Sequence, residues 1–183
     1  MPRIVDHPRR RAEILDQCLE LFAARGYGSV RIREIATATG HSVGTIYHYF
    51  VDKEDLGRQL FAHIGTQIVR DAALVFEDAD DVVRFDILER FVLDWEERLT
   101  NALLIGLDHN RLFPDSRQVT AQTLVTIKDA MVEYMRLENT ELETVLFSNL
   151  IGCLIRRALD PSQTSLTEEL GAFRALDKLS LAA

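Results

Sequence analysis

Residues 40–50 read Gly-His-Ser-Val-Gly-Thr-Ile-Tyr-His-Tyr-Phe, and their side chains are suited to nucleic acid rather than to catalysis. Val43 and Thr45 offer a methyl and a hydroxyl to base edges, and Tyr47 and His48 can reach phosphates or base edges. Gly44 presents bare backbone that can approach a groove wall. Ser42 can accept one of the orphan amide hydrogens that open a helix. Arg31 and Arg33 before this run, and Lys53 after it, carry charge for phosphate. The candidate DNA-binding residues are therefore Arg31, Arg33, Ser42, Val43, Gly44, Thr45, Tyr47, His48 and Lys53. No catalytic constellation competes with them: His63 and His109 lie far from any Ser or Cys arranged as a nucleophile, and there is no Gly-rich phosphate loop. Asp108-His109 is too little for a metal, and no cofactor is implied.

Apolar spacing supplies the elements that must position these groups. Ile14, Cys18 and Phe22 repeat at four residues, and Gly26 stops that helix. Ile32, Ile35 and Ala36 mark a short second helix ending at Gly40, which can take the left-handed turn conformation. Val43 to Phe50 forms a third, with Ile46 and Phe50 facing inward. Two short helices joined by Gly-His-Ser are a helix-turn-helix. Tyr49 and Phe50 read as core. Arg9-Arg10-Arg11 reads as a solvated helix start, or as an arm tracking phosphate.

Ile35-Ala36-Thr37-Ala38-Thr39-Gly40-His41-Ser42-Val43-Gly44-Thr45-Ile46-Tyr47-His48-Tyr49-Phe50, followed by Lys53-Glu54 and Leu56, resembles the TetR family of bacterial transcriptional regulators over about residues 10–60. The resemblance implies a dimeric, all-helical repressor of a double-stranded DNA operator, with a C-terminal domain for ligand and dimer contacts. Two positions depart from the family pattern. Arg31 stands where a capping Ser or Thr is usual, so Ser29 or backbone must supply the cap. His41 replaces an apolar residue in the turn.

Beyond Asp52 the expected helices run from about Lys53 to Phe76 and from Val82 past Trp95, then near 117–137, 141–158 and 165–181, with a loop at Asp108 to Asp115. The fold class is all-α, about nine helices, divided into residues 1–52 and 53–183. Phe91, Trp95, Leu103, Leu104, Leu107, Phe113, Met131, Tyr134 and Met135 are large and adaptable, and could line a ligand pocket. A hydrophobic effector fits them, and Asp94 and Glu133 would suit a cationic one. The segment 141–158 is apolar on two sides, which calls for cover from its own domain and from a partner subunit. Phe147, Ile151, Gly152 and Ile155, with Leu166, Leu170 and Phe173 of the last run, are the candidate homodimer interface.

Charge gives the one contrary signal. Over 183 residues the chain is formally −8, which by itself argues against a phosphate-rich partner. The imbalance is local: residues 1–58 hold nine Lys/Arg and eight Asp/Glu, whereas the remainder holds 12 and 21. No segment is apolar enough to span a bilayer, and two cysteines in apolar segments suggest buried thiols, so a cytoplasmic site is expected. Two other readings stay open, a DNA-bound dimer answering to a protein partner without a small-molecule pocket, and a helical enzyme with a vestigial helix-turn-helix.

Overall fold

A computed structural model describes residues 7–137, 140–160, 162, 165–168 and 170–171. Among them every regular element is helical. The order is α1 (His7–Arg25), α2 (Ile32–Ala38), α3 (Val43–Tyr49), α4 (Lys53–Phe76), α5 (Arg84–Leu112), α6 (Arg117–Met135) and α7 (Thr140–Leu159). Two 3-10 turns, Asp81–Val83 and Pro114–Ser116, precede α5 and α6, and helical residues recur at 166–168 and 170–171. Among the described residues no helix is long and apolar enough to cross a membrane. The chain divides into two compact units whose boundaries fall within or beside α4, α5 and α6.

The first unit holds residues 1–67 and 101–124. Its core is closed by Ile14, Cys18, Phe22, Ile35, Ile46, Phe50, Leu56 and Leu60, all essentially inaccessible. Those that share a helix recur at four-residue spacing, so each helix buries one stripe. His109 is the unusual member, fully buried on α5 among the rings of Tyr27, Phe61 and Phe113 at 5.3–5.5 Å. Its Nε2 lies 3.2 Å from the Glu54 carbonyl, which only accepts, so Nε2 carries the proton. Nδ1 is buried without a hydrogen-bond partner among the described residues. Gly57 makes room for this ring: a Cβ there would lie 2.4 Å from His109 Cδ2 and 2.7 Å from the Tyr27 hydroxyl.

The second unit holds residues 68–100 and 125–183. Leu88, Val92, Leu146, Leu150, Cys153 and Leu154 are buried in it. Arg84, 4% exposed, anchors its polar side by donating to the carbonyls of Ala79, at 2.6 Å, and Tyr134, and to Asp81 at 3.1 Å. A buried guanidinium is tolerable because these acceptors replace its water. Arg136 also donates to Asp81, at 2.8 Å. Arg84 and then Arg136 hold the Asp81 carboxyl below its ordinary range. Arg157 on α7 grips Glu96 on α5 with two nitrogens.

One expectation is corrected. The polar run at Asp108 to Asn110 is not a loop, because α5 continues to Leu112. His109 faces the core there, while Asp108 and Arg111 pair at 3.4 Å on the outside. Leu103, Leu104 and Leu107 therefore lie on α5 itself. Leu166 and Leu170, expected at a partner interface, are 2% and 3% exposed in the single chain. Phe173 lies outside the described residues.

Candidate functional site

The helix-turn-helix is built from capping groups and a small apolar stripe. Arg31 occupies the N-cap of α2 but its side chain makes no cap. Glu34 does so instead, its Oε2 accepting from the Arg31 amide at 2.8 Å while Oε1 takes the Arg25 guanidinium from α1. The Arg31 amide first, and Arg25 next, hold the Glu34 carboxyl below its usual range. Ser29, a candidate cap, instead donates to the carbonyls of Arg25 and Gly26, since it stands within reach of the unpaired end of α1. Arg31 and Arg33 keep their side chains exposed.

The turn closes as the glycine requires. Gly40 has φ +66°, and the His41 amide donates back to the Ala36 carbonyl at 2.8 Å. Thr39, buried, donates its hydroxyl to the Ile35 carbonyl at 2.8 Å. Ser42 then caps α3, its Oγ accepting from the Thr45 amide at 3.0 Å. Along α3, Ile46, Tyr49 and the following Phe50 are buried. Tyr47 is 53% exposed, and Ser42, Gly44 and His48 are exposed beside it, with Val43 and Thr45 half-buried. Seven residues thus present one polar face and one apolar face. A Cβ added at Gly44 would meet only Ser42 Oγ, at 3.7 Å, so nothing within the chain demands glycine there.

Lys53 departs from the simple picture of a cation pointing outward. Its ammonium donates to the carbonyls of Tyr27 and, at 3.3 Å, Gly28, and stands 4.5 Å from the Tyr27 ring centroid. Burial pushes its pKa below the ordinary lysine range, against the pull of Glu34 and Asp108. Asp52 caps α4 through the Asp55 amide at 2.7 Å, a cap legible in the Asp-x-x-Asp spacing but not read from it.

The pocket candidates separate into three groups. Phe91, Met131, Tyr134 and Met135 come together on a cavity of about 80 Å³ in the second unit. They are joined there by Ile68, Val69, Ala72, Phe76, Leu88 and others that look like ordinary core in sequence. Phe147 and Ile151, read as interface residues, also line this cavity, so α7 turns them toward its own unit. The lining has no charged side chain, and the Tyr134 hydroxyl is directed to the Val69 carbonyl at 3.4 Å. Trp95 lies apart, stacked on Phe91 at 5.6 Å in a separate depression of about 270 Å³ that also holds Asp71, Arg90 and Asp94. Leu103, Leu104, Leu107 and Phe113 belong to the first unit, where Phe113 packs on Tyr27 and His109. Leu104 and Leu107 are 44% and 58% exposed.

Comparison with known proteins agrees with this geometry. Residues 14–65 match the family described as bacterial regulatory proteins, tetR family. The HTH-type transcriptional repressor KstR2 of Rhodococcus jostii is 45% identical over 47 residues, 26% of this chain and 23% of that protein. The match therefore spans about a quarter of that relative's length. A protein from Saccharomonospora viridis solved with choline superposes with a TM-score of 0.75 at 19% identity, covering 94% of this chain and 97% of that one. The transcriptional regulator FadR of Bacillus subtilis, in complex with stearoyl-CoA, gives 0.62 at 18% identity over 90% and 96%. At such identities the likeness of structures speaks for the fold alone. Residues 14–65 thus carry a helix-turn-helix segment that matches the tetR family of bacterial regulatory proteins, within an all-helical fold shared with these solved structures.

Proposed function

We propose that this chain is a DNA-binding regulator that acts as a homodimer on a two-fold operator and is released from it by an uncharged, apolar effector. The observation that carries the DNA reading is α3, whose buried Ile46 and Tyr49 leave Ser42, Gly44, Tyr47 and His48 outward. An α-helix of this kind fits the major groove, where Thr45 and Val43 meet base edges and Tyr47 and His48 meet phosphates or bases. Arg31 and Arg33 supply phosphate contacts at the start of α2. Lys53 serves chiefly to brace the turn after α1, since it would have to leave two carbonyls to reach a phosphate.

The dimer reading rests on the outer face of α7. Val145 is 45% exposed and Ile155 is half-exposed. A Cβ at Gly152 would meet only Arg156 Nη1, at 3.4 Å, which leaves room for a crossing helix. The effector reading rests on the cavity lining. Without a carboxylate on that wall, a cation would lose its hydration uncompensated, so the charge-free lining favours an apolar compound. The bound stearoyl-CoA of one structural neighbour carries such a chain, whereas the choline of the other carries a cation. Met131 and Met135 give the wall adaptable side chains. Control then requires that the effector bind one arrangement of the dimer better than the other. Half-sites recur at about 34 Å along the duplex, so a change of spacing between paired α3 helices weakens the complex.

Fluorescence anisotropy of a labelled duplex, enriched by the protein from a random pool, tests this reading. Gly44→Ala is expected to weaken binding by at least about tenfold, since a methyl intrudes on the groove wall while nothing in the chain is crowded. Its melting temperature should not fall. Dodecanol should release the duplex from the unmodified protein and choline should not. Full affinity for Gly44→Ala, or release by choline alone, would overturn the corresponding half.

A further inference from the structure

Resting on the DNA-binding reading above, we infer that the first turns of α1 are a second phosphate-contacting element, in which His7 and Arg11 flank the recognition helix α3. The geometry starts from Tyr49. Its hydroxyl lies 3.1 Å from His7 Nδ1, and the His7 ring centroid is 5.9 Å from that of Tyr49 and 5.6 Å from that of His48. Arg11, one turn further along α1, holds its guanidinium carbon 6.0 Å from the Tyr49 ring centroid. His7 and Arg11 are four residues apart and so share one face of the helix. Tyr49 is buried, 7% exposed, and acts as a fixed post between α1 and α3.

The consequence is a continuous surface. His7, Arg11 and His48 are all exposed, and they cluster on the same buried tyrosine at the end of α3 that follows Tyr47. The first turn of α1 holds no acidic residue, and the first carboxylate after it, Glu13, takes Arg9 at 3.0 Å. Among the described residues no carboxylate pairs with Arg11. A cation steered by an aromatic ring, with no anion of its own, is placed to take one from outside. The anion that lies beside a helix seated in the major groove is the duplex backbone, and such a contact positions without reading sequence.

That last property makes the inference separable from base recognition. A phosphate contact contributes about 0.9 to the slope of log affinity against log salt concentration, on any B-form duplex. Binding would be measured by anisotropy at several salt concentrations on two duplexes, the enriched one and a 20-base-pair duplex of arbitrary sequence. Arg11→Gln is expected to lower the slope by about 0.9 and to weaken both complexes at least about threefold. Arg11→Lys should recover the slope, which a merely structural role of the arginine would not predict. Tyr49→Phe, which keeps the ring and removes the hydroxyl that holds His7, should give a smaller loss on both duplexes. His7→Gln, at an exposed position that leaves the core untouched, should lose affinity to a similar small extent. If the unmodified protein binds and Arg11→Gln keeps its slope and affinity, the inference is overturned while the DNA reading stands. A protein that binds neither duplex overturns both.

Discussion

The two units of this chain use the same secondary structure in opposite ways. In the first, short helices are fixed by named polar hooks: Glu34 on Arg31 and Arg25, Ser42 on Thr45, Asp52 on Asp55, and Lys53 on the carbonyls of Tyr27 and Gly28. In the second, the helices enclose an apolar void, with Arg84 and the Arg157–Glu96 pair among their polar ties. A surface that meets a duplex must hold donors at set positions, because the phosphate and base pattern does not adjust to it. A wall that meets an apolar compound needs only volume and the absence of charge. On the proposed function, specific chemistry is concentrated where the target is rigid.

The difference in packing can be broken by truncation. Phe22→Ala, in the closed core of the first unit, should cost about 3–5 kcal/mol, read from the midpoint of urea unfolding. Met131→Ala, beside a void, gives up fewer contacts and should cost about 2 kcal/mol. Equal losses would show that the second unit is packed as tightly as the first. A smaller effect tests the contact of α4 and α5 within the first unit. Gly57→Ala should destabilise by about 1–3 kcal/mol, since the new methyl overlaps His109 and Tyr27. Adding His109→Ala to Gly57→Ala should cost less than the sum of the two single changes, by a thermal-melt cycle.

Acid sharpens the comparison with the smallest effect. Glu34 in the first unit and Asp81 in the second both have carboxyl groups held below their ordinary values, by Arg31 and Arg25 in one case and by Arg84 and Arg136 in the other. Their folded values are depressed, so the stability they contribute is complete above the ordinary carboxylate range. It is lost as pH falls through the lower folded values. Melting temperature should accordingly fall on acidification below about pH 4. Glu34→Gln and Asp81→Asn should each flatten part of that decline, and neither should alter the profile near neutrality.

Much of the first unit was legible in sequence because its helices carry their own punctuation. Gly40 and Ser42 mark the turn and cap, and the spacing of Ile46 and Phe50 fixes which side of α3 faces inward. The acceptor at the start of α2 escaped because Glu34 lies three residues inside the helix and Ser29 is the nearer hydroxyl. Asp108-His109-Asn110 escaped for a different reason. A histidine is polar in composition, yet the aromatic box of Tyr27, Phe61 and Phe113 buries it, and two of the three rings come from segments distant in sequence. In the second unit Phe91, Met131, Tyr134 and Met135 line the cavity, but Ala72 and Leu88 beside them carry no mark in sequence that separates a lining residue from a core one. Periodicity also shows that a stripe will be covered without showing by what. Leu166 and Leu170 are buried in the single chain, and Phe147 and Ile151 line the cavity.

The two cysteines have a further use. The chain has only Cys18 and Cys153, one in each unit, both reduced and both with no accessible surface. Burial pushes the Cys18 thiol up to about 12, so the reactive thiolate is scarce at neutral pH as well as hidden. Alkylation of either sulfur must wait for its surroundings to open. Each unit thus carries its own covalent clock, and mass spectrometry of the two tagged peptides would time their opening separately in one untouched polypeptide.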